Sequence, residues 1–213
     1  MQVAYRTEVG HVRQRNEDAL LARPERGILA VADGLGGHPA GDLASLTAVQ
    51  ALDEAPLTAA ASADDLVAAT RDAHNAVLAV AEEEPGRLGM GTTVVLAAID
   101  AGRARIVHVG DSRAYLLSTD GELQAVTRDH GMHGYLTQAL GLDRDVEPDV
   151  AEVLCEPGSR LLLCTDGLTN MVDDDKLAEL LGQGDAQEAC DALVQTALDN
   201  GGVDNVTVIV VAF

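Results

Sequence analysis

Residues 28–38 read Ile28-Leu29-Ala30-Val31-Ala32-Asp33-Gly34-Leu35-Gly36-Gly37-His38. An apolar, partly β-branched run over 28–32 carries the signature of a strand, and it ends in a carboxylate and a glycine-rich turn. The same strand signature recurs on either side, at about 3–9, 18–23, 91–99, 104–110, 113–118, 149–154, 160–165 and 205–212. Short turns such as Asp100-Ala101-Gly102 and Thr119-Asp120-Gly121 favour antiparallel hairpins. Two long helical stretches follow the 28–32 strand. The first spans about 40–54, with Leu43, Leu46, Val49 and Leu52 as its apolar stripe. The second opens after an N-cap at Ser62, with Asp64 and Asp65 in its first turn. It runs through Leu66, Ala69, Ala73, Val77 and Val80 to Pro85-Gly86. Shorter helices are predicted over 174–181 and 186–199. Strands in blocks with helices in pairs between them predict an α+β fold: one domain over 1–213, two packed antiparallel sheets and helices outside.

Composition narrows the function. Fourteen basic against thirty-five acidic side chains in 213 residues leave a net charge of −21. A phosphate-backbone binder works by releasing counterions with Lys and Arg, so neither nucleic acid nor an anionic membrane is an expected partner. The longest apolar stretch, Val206–Phe213, is too short to span a bilayer. Cys155, Cys164 and Cys190 are odd in number and form no C-x-x-C pair, which points to a reducing compartment. The first twenty residues show no basic stretch followed by an apolar core, so the expected location is cytoplasmic.

The chemistry concentrates at strand ends. Asp33 closes the 28–32 run, Asp111 follows Ile106–Gly110, Asp166 follows Arg160–Thr165, and Asp204-Asn205 opens the last strand after Gly201-Gly202. Each carboxylate stands beside glycine, which lets another group approach the backbone closely. Together they offer the oxygen donors that hard divalent cations take. Asp-Gly and Asp-Asn are also ordinary turn dipeptides, and spacing alone does not make the four converge.

An ordered set of motifs makes the reading specific. It comprises Arg13-Gln14-Arg15-Asn16-Glu17-Asp18, Val31–His38, Met90-Gly91-Thr92-Thr93, Val109-Gly110-Asp111-Ser112-Arg113-Ala114-Tyr115, Thr127-Arg128-Asp129-His130, Leu136–Gly141, Cys164-Thr165-Asp166-Gly167-Leu168 and Asp204-Asn205-Val206-Thr207. This set resembles the metal-dependent serine/threonine protein phosphatases (type 2C, or PPM), in particular small bacterial members. The match runs from about residue 5 to 213.

The resemblance implies a four-layer α-β-β-α sandwich with two Mn²⁺ or Mg²⁺ ions at one end of the sheets. Asp33 matches the aspartate that bridges both ions, and Gly34 matches the residue that lends one of them its carbonyl. Asp166 and Asp204 match the carboxylates on the other ion. Asp111, with Asp166, matches a third and weaker site. Arg13 matches the arginine that grips the substrate phosphate, a task suited to a planar, permanently charged fork. Glu17 and Asp18 match residues that act through bound water, and Asn205 is expected to orient Asp204. Water activated between the two ions would attack the phosphorus in line, without a phospho-enzyme. The expected substrates are phosphoserine and phosphothreonine proteins, the targets of a Ser/Thr kinase.

Two departures from the family pattern stand out. Leu35 occupies the position after Asp-Gly where some members carry a histidine, and His38 is a weaker replacement. Only Gly131-Met132-His133-Gly134-Tyr135 separate Asp129-His130 from Leu136, where members place a flap subdomain. A tight connection there would bring His133 and Tyr135 to the rim of the site. Outside the motifs, His11 and His108 read as structural or exposed, and His74 as a surface residue of the second helix. Ser112 lacks the G-x-S-x-G elbow of a serine hydrolase. Two alternatives accompany the phosphatase reading: a phosphatase-shaped binding module with little catalysis, and a phosphatase for small phosphorylated metabolites.

Overall fold

The computed structural model describes residues 1–35, 40–132, 135–142 and 144–213. In chain order the elements are β1 (Gln2–Glu8), β2 (Asp18–Arg23), β3 (Ile28–Asp33), α1 (Gly41–Glu54), α2 (Ala63–Glu83), a 3₁₀ turn (Pro85–Arg87), β4 (Val94–Asp100), β5 (Arg103–Val109), β6 (Arg113–Leu117), β7 (Leu123–Ala125), β8 (Gly131–Met132), β9 (Tyr135–Leu136), β10 (Asp149–Leu154), β11 (Arg160–Cys164), α3 (Asp166–Thr169), α4 (Asp174–Leu181), α5 (Ala186–Asp199) and β12 (Val206–Ala212). One sheet is ordered β1-β12-β11-β6-β7 and the other β10-β5-β4-β3-β2, with β8-β9 as a separate two-stranded piece. Every strand pair described is antiparallel.

Alternation along the strands builds three apolar layers. Leu29, Val31, Val95, Ile106, Leu161, Leu163, Ile209 and Val211 meet between the two sheets. Ile28, Ala30, Leu96 and Val107 face the opposite way and pack under α1 and α2. Leu162, Val206, Val208 and Val210 pack under α4 and α5. Neighbouring residues of one strand thus feed different layers, which is what a period-2 strand buried on both faces does. The expected α-β-β-α sandwich is the fold.

The helix starts follow local chemistry. Ser62 and Asp65 form a capping box at α2, as do Asp185 and Glu188 at α5. The stripe expected on α1 is corrected. Its buried face is Gly41, Ala44, Ser45, Ala48, Val49 and Leu52, whereas Leu46 is 48% exposed. Small residues let α1 lie close to α2 and the sheet, and reading only large apolar side chains hid that face. His74 is corrected too. It is buried, because it falls on the α2 face of Leu66, Thr70, Val77 and Ala81, and its Nδ1 accepts the Gly141 N–H. The strand expected from 91 begins at Val94. Ahead of it, Thr92 makes isolated bridges to Gly34 and Leu140, and Thr93 N–H donates to the Asp33 carbonyl. The sequence pattern did not show β7, β8, β9 or α3, all of four residues or fewer and too short to display a period.

Candidate active site

The catalytic candidates come from strand ends that the topology gathers at one edge of both sheets. Asp33 ends β3 and Asp18 begins β2, and the two are Cα partners across the pair. Like charges directly opposite on a sheet repel, so this register needs a counter-charge. Asp166 follows β11 and opens α3, while Asp204 precedes β12 beside it. Close approach here depends on glycine: a Cβ on Gly167 would sit 1.9 Å from the Asn205 carbonyl oxygen, and one on Gly34 2.2 Å from that of Gly41. Asp111 follows β5, next to Ser112 and Thr93.

Arg13, Asp33, Gly34, Leu35, Thr93, Asp111, Leu136, Asp166 and Asp204 line one cleft of about 140 Å³. Asp33 and Asp166 meet carboxyl to carboxyl within hydrogen-bonding contact. Arg13 Nη2 donates to Asp204 Oδ2 at 2.7 Å. An adjoining cleft of about 410 Å³ shares Asp111, Leu136 and Asp166 and adds Asp129, Gly131, Tyr135 and Asn170.

Main-chain and neutral side-chain groups hold the carboxylates in place. Asp33 N–H donates to Thr93 Oγ1 at 3.0 Å, and Thr93 Oγ1 lies 2.7 Å from Ser112 Oγ. Ser112 is thereby a buried scaffold hydroxyl. Asn170 Nδ2 donates to Asp166 Oδ2 at 2.9 Å, and Thr165 Oγ1 donates to Asp18 Oδ2 at 2.9 Å. Thr165, Asn170 and Thr93 are site residues that sequence reasoning missed. Thr165 and Thr93 stand inside motifs already quoted, one residue from Asp166 and at the end of Met90–Thr93.

Asn205 does more than expected and does it differently. Its main-chain N–H donates to Asp204 Oδ1, but its side chain accepts from Glu17 N–H and donates to the carbonyls of Val9 and Arg15. It therefore ties the whole 9–17 loop, Arg13 included, to the start of β12. Glu17 contributes its main chain: its carbonyl accepts from Gly34 N–H and Ser45 Oγ. Its carboxylate is not among the cleft-lining groups. His108 is buried, and His11 is exposed. Tyr135 is 79% exposed at the rim, as expected of the short connection, while His38 and His133 lie outside the described residues.

The electrostatics are those of a cation site. Burial, reinforced by the charges of Asp18, Asp166 and Asp204, pushes Asp33 well above the ordinary carboxylate value. Burial also lifts Asp18 to about 7, Asp111 to about 6, and Asp166 in the same direction. Asp18 Oδ1 is buried with no hydrogen-bond partner. An orphaned carboxylate oxygen among mutually repelling carboxylates fits a hard divalent cation, whose charge reverses these penalties.

Comparison with known proteins agrees with this geometry. Residues 8–200 match the family model for protein phosphatase 2C. The chain belongs to the protein phosphatase 2C family. The serine/threonine protein phosphatase PstP of Mycobacterium tuberculosis is 37% identical over 99% of the chain, which spans only 44% of that relative. The serine/threonine phosphatase stp of Listeria innocua is 34% identical over 99% of the chain and 95% of its own length. Among solved structures, the catalytic domain of PstP in complex with two manganese ions superposes with a TM-score of 0.89, at 37% identity and covering 98% of this chain and 96% of that one. In this protein phosphatase 2C sandwich, the acidic cleft lies where β3, β5, β11 and β12 end or begin.

Proposed function

We propose that residues 1–213 form one catalytic unit that hydrolyses phosphoserine and phosphothreonine in proteins phosphorylated by a Ser/Thr kinase. The observation that carries this is the convergence of Asp33, Asp166, Asp204, Asp111 and Arg13 on one cleft in a chain of this family. Asp33, the Gly34 carbonyl, Asp166 and Asp204 would hold two Mn²⁺ or Mg²⁺ ions, and Asp111 with Asp166 a third, weaker one. When bound, such a pair supplies Lewis acidity and makes hydroxide available from water at neutral pH.

The chain's own groups do the rest. Asn170 and the Asn205 N–H each occupy one oxygen of Asp166 and Asp204, which fixes how those carboxylates turn. Arg13 presents a guanidinium fork at the cleft, where it would bind the phosphoryl oxygens and offset the charge that builds there. Its salt bridge to Asp204 holds that fork in place between turnovers. Leu35 gives the cleft an apolar wall, so the leaving alkoxide takes its proton from water. The three cysteines are free and buried, which supports a reducing, cytoplasmic setting. No helix among the described residues is long and apolar enough to cross a membrane.

Turnover of a phosphopeptide and of a small aryl phosphate, each with and without Mn²⁺, tests the proposal. Mn²⁺-dependent turnover favouring the phosphopeptide is expected. Turnover of the small phosphate alone would mark a metabolite phosphatase, and none of either a binding module.

A further inference from the structure

Outside the acidic cleft, His108, His130 and Asp149 bring three ligand atoms within 4.8 Å of one another. His108 of β5 stands directly across from Asp149 of β10. His130, just ahead of β8, lays its ring against that of His108, with centroids 4.6 Å apart and planes inclined at 33°. His108 is buried, the His130 side chain is 9% exposed, and Asp149 is open to solvent.

Hydrogen bonds decide which nitrogen is free. His108 Nε2 lies 2.9 Å from the Arg128 carbonyl. A carbonyl only accepts, so Nε2 carries the proton and Nδ1 presents a lone pair. A main-chain carbonyl that fixes the tautomer of a buried imidazole is the support that metal-ligating histidines use. Burial pushes His108 below the ordinary imidazole value, which keeps the ring neutral. His130 Nε2 lies 3.2 Å from Asp149 Oδ2. That is close to the edge, roughly 3.3 Å, of a tetrahedron whose bonds are about 2.0–2.1 Å.

We propose that His108 (through Nδ1), His130 (through Nε2) and Asp149 form a binding site for a borderline divalent cation of the Zn²⁺ class, separate from the acidic cleft and completed by water. Two imidazoles and one carboxylate suit Zn²⁺ or Co²⁺, whereas the oxygen-only cleft suits Mn²⁺ or Mg²⁺. Binding moves the His130 proton from Nε2 to Nδ1. The loss is small, because Nδ1 accepts only a long, 3.4 Å contact from Gly110 N–H. A cation there cross-links β5 and β10 to the segment that enters the β8–β9 hairpin.

The test is a Co²⁺ titration of the metal-free full chain, read by visible absorption. Tetrahedral cobalt with imidazole donors gives intense bands, and a six-coordinate oxygen site gives weak ones. Intense bands are expected to saturate at about one equivalent, to be displaced by Zn²⁺, and to persist in the Asp166→Asn/Asp204→Asn double variant. Asp149→Ala and His130→Gln should each weaken that binding by at least about tenfold. Asp149 is exposed, so its variant tests the site even where a change at buried His108 prevents folding. Absence of intense bands, equal affinity in Asp149→Ala, or loss of the bands in the double variant would overturn the proposal and leave an ordinary His–Asp pair.

Discussion

Arg13 and Asp204, 191 residues apart, form a salt bridge with Nη2 2.7 Å from Oδ2. The residue proposed to grip phosphate and one proposed to hold a cation are thus already partners. Each keeps the other's charge compensated while substrate and metal come and go.

Removing Arg13 should therefore separate two properties. Arg13→Ala should lower kcat/KM by roughly a hundredfold, the loss of about 2–3 kcal/mol of charge-assisted bonding to phosphate. The Mn²⁺ concentration for half-maximal activity should stay the same or fall, because Asp204 loses a competing cation. An unchanged kcat/KM would return Arg13 to the solvated surface.

Asp166→Asn and Asp204→Asn each take a carboxylate from the donor set. Both variants should lose nearly all Mn²⁺-dependent turnover while keeping the wild-type circular dichroism spectrum. Full activity of the EDTA-treated wild type would contradict the proposed function.

The buried carboxylates set a pH dependence. Asp18 is lifted to about 7 and Asp111 to about 6, chiefly by burial, from a model value of 3.8. A raised folded-state pKa means that the native state holds more protons than the unfolded one between the two values. The stabilisation is complete below the unfolded pKa and is lost as pH rises through the folded one. Metal-free protein should thus melt higher at about pH 5.5 than at about pH 7.5, while the gain from added Mn²⁺ shrinks over the same fall in pH. The exposed caps Asp65 and Asp185, whose pKa values are lowered, act below that window. A metal-free melting temperature that climbs steadily with pH across this range would refute the assignment.

Gly167→Ala places a methyl group 1.9 Å from the Asn205 carbonyl oxygen. It should cost about 1–3 kcal/mol or more in urea unfolding, since backbone must move. Gly86→Ala, whose Cβ meets nothing within 4 Å, should stay within about 0.5 kcal/mol of wild type.

The short 131–135 connection leaves little wall from which to read residues flanking the phosphate. A panel of phosphoserine and phosphothreonine peptides should show modest selectivity, and Asp111→Ala should lose only the weakest step of a metal titration. A spread in kcat/KM of roughly a thousandfold, about 4 kcal/mol, would mean that another surface selects the substrate.

By itself the sequence determined the parts that depend on neighbours along the chain. Strand β2 over 18–23, helices α4 and α5, the Ser62 cap and the carboxylates at strand ends were all legible from period, turn chemistry and ordered motifs. Tertiary structure decided what depends on partners far away in the chain. His74 is buried because α2 turns that face to the sheet, and α1 packs through Ala44 and Ala48 rather than Leu46. Asn205 grips the 9–17 loop across about 190 residues, and Asp18 faces Asp33 only through the β2–β3 register. No local pattern encodes such contacts, because they arise when two antiparallel sheets bring their strand ends to a common edge.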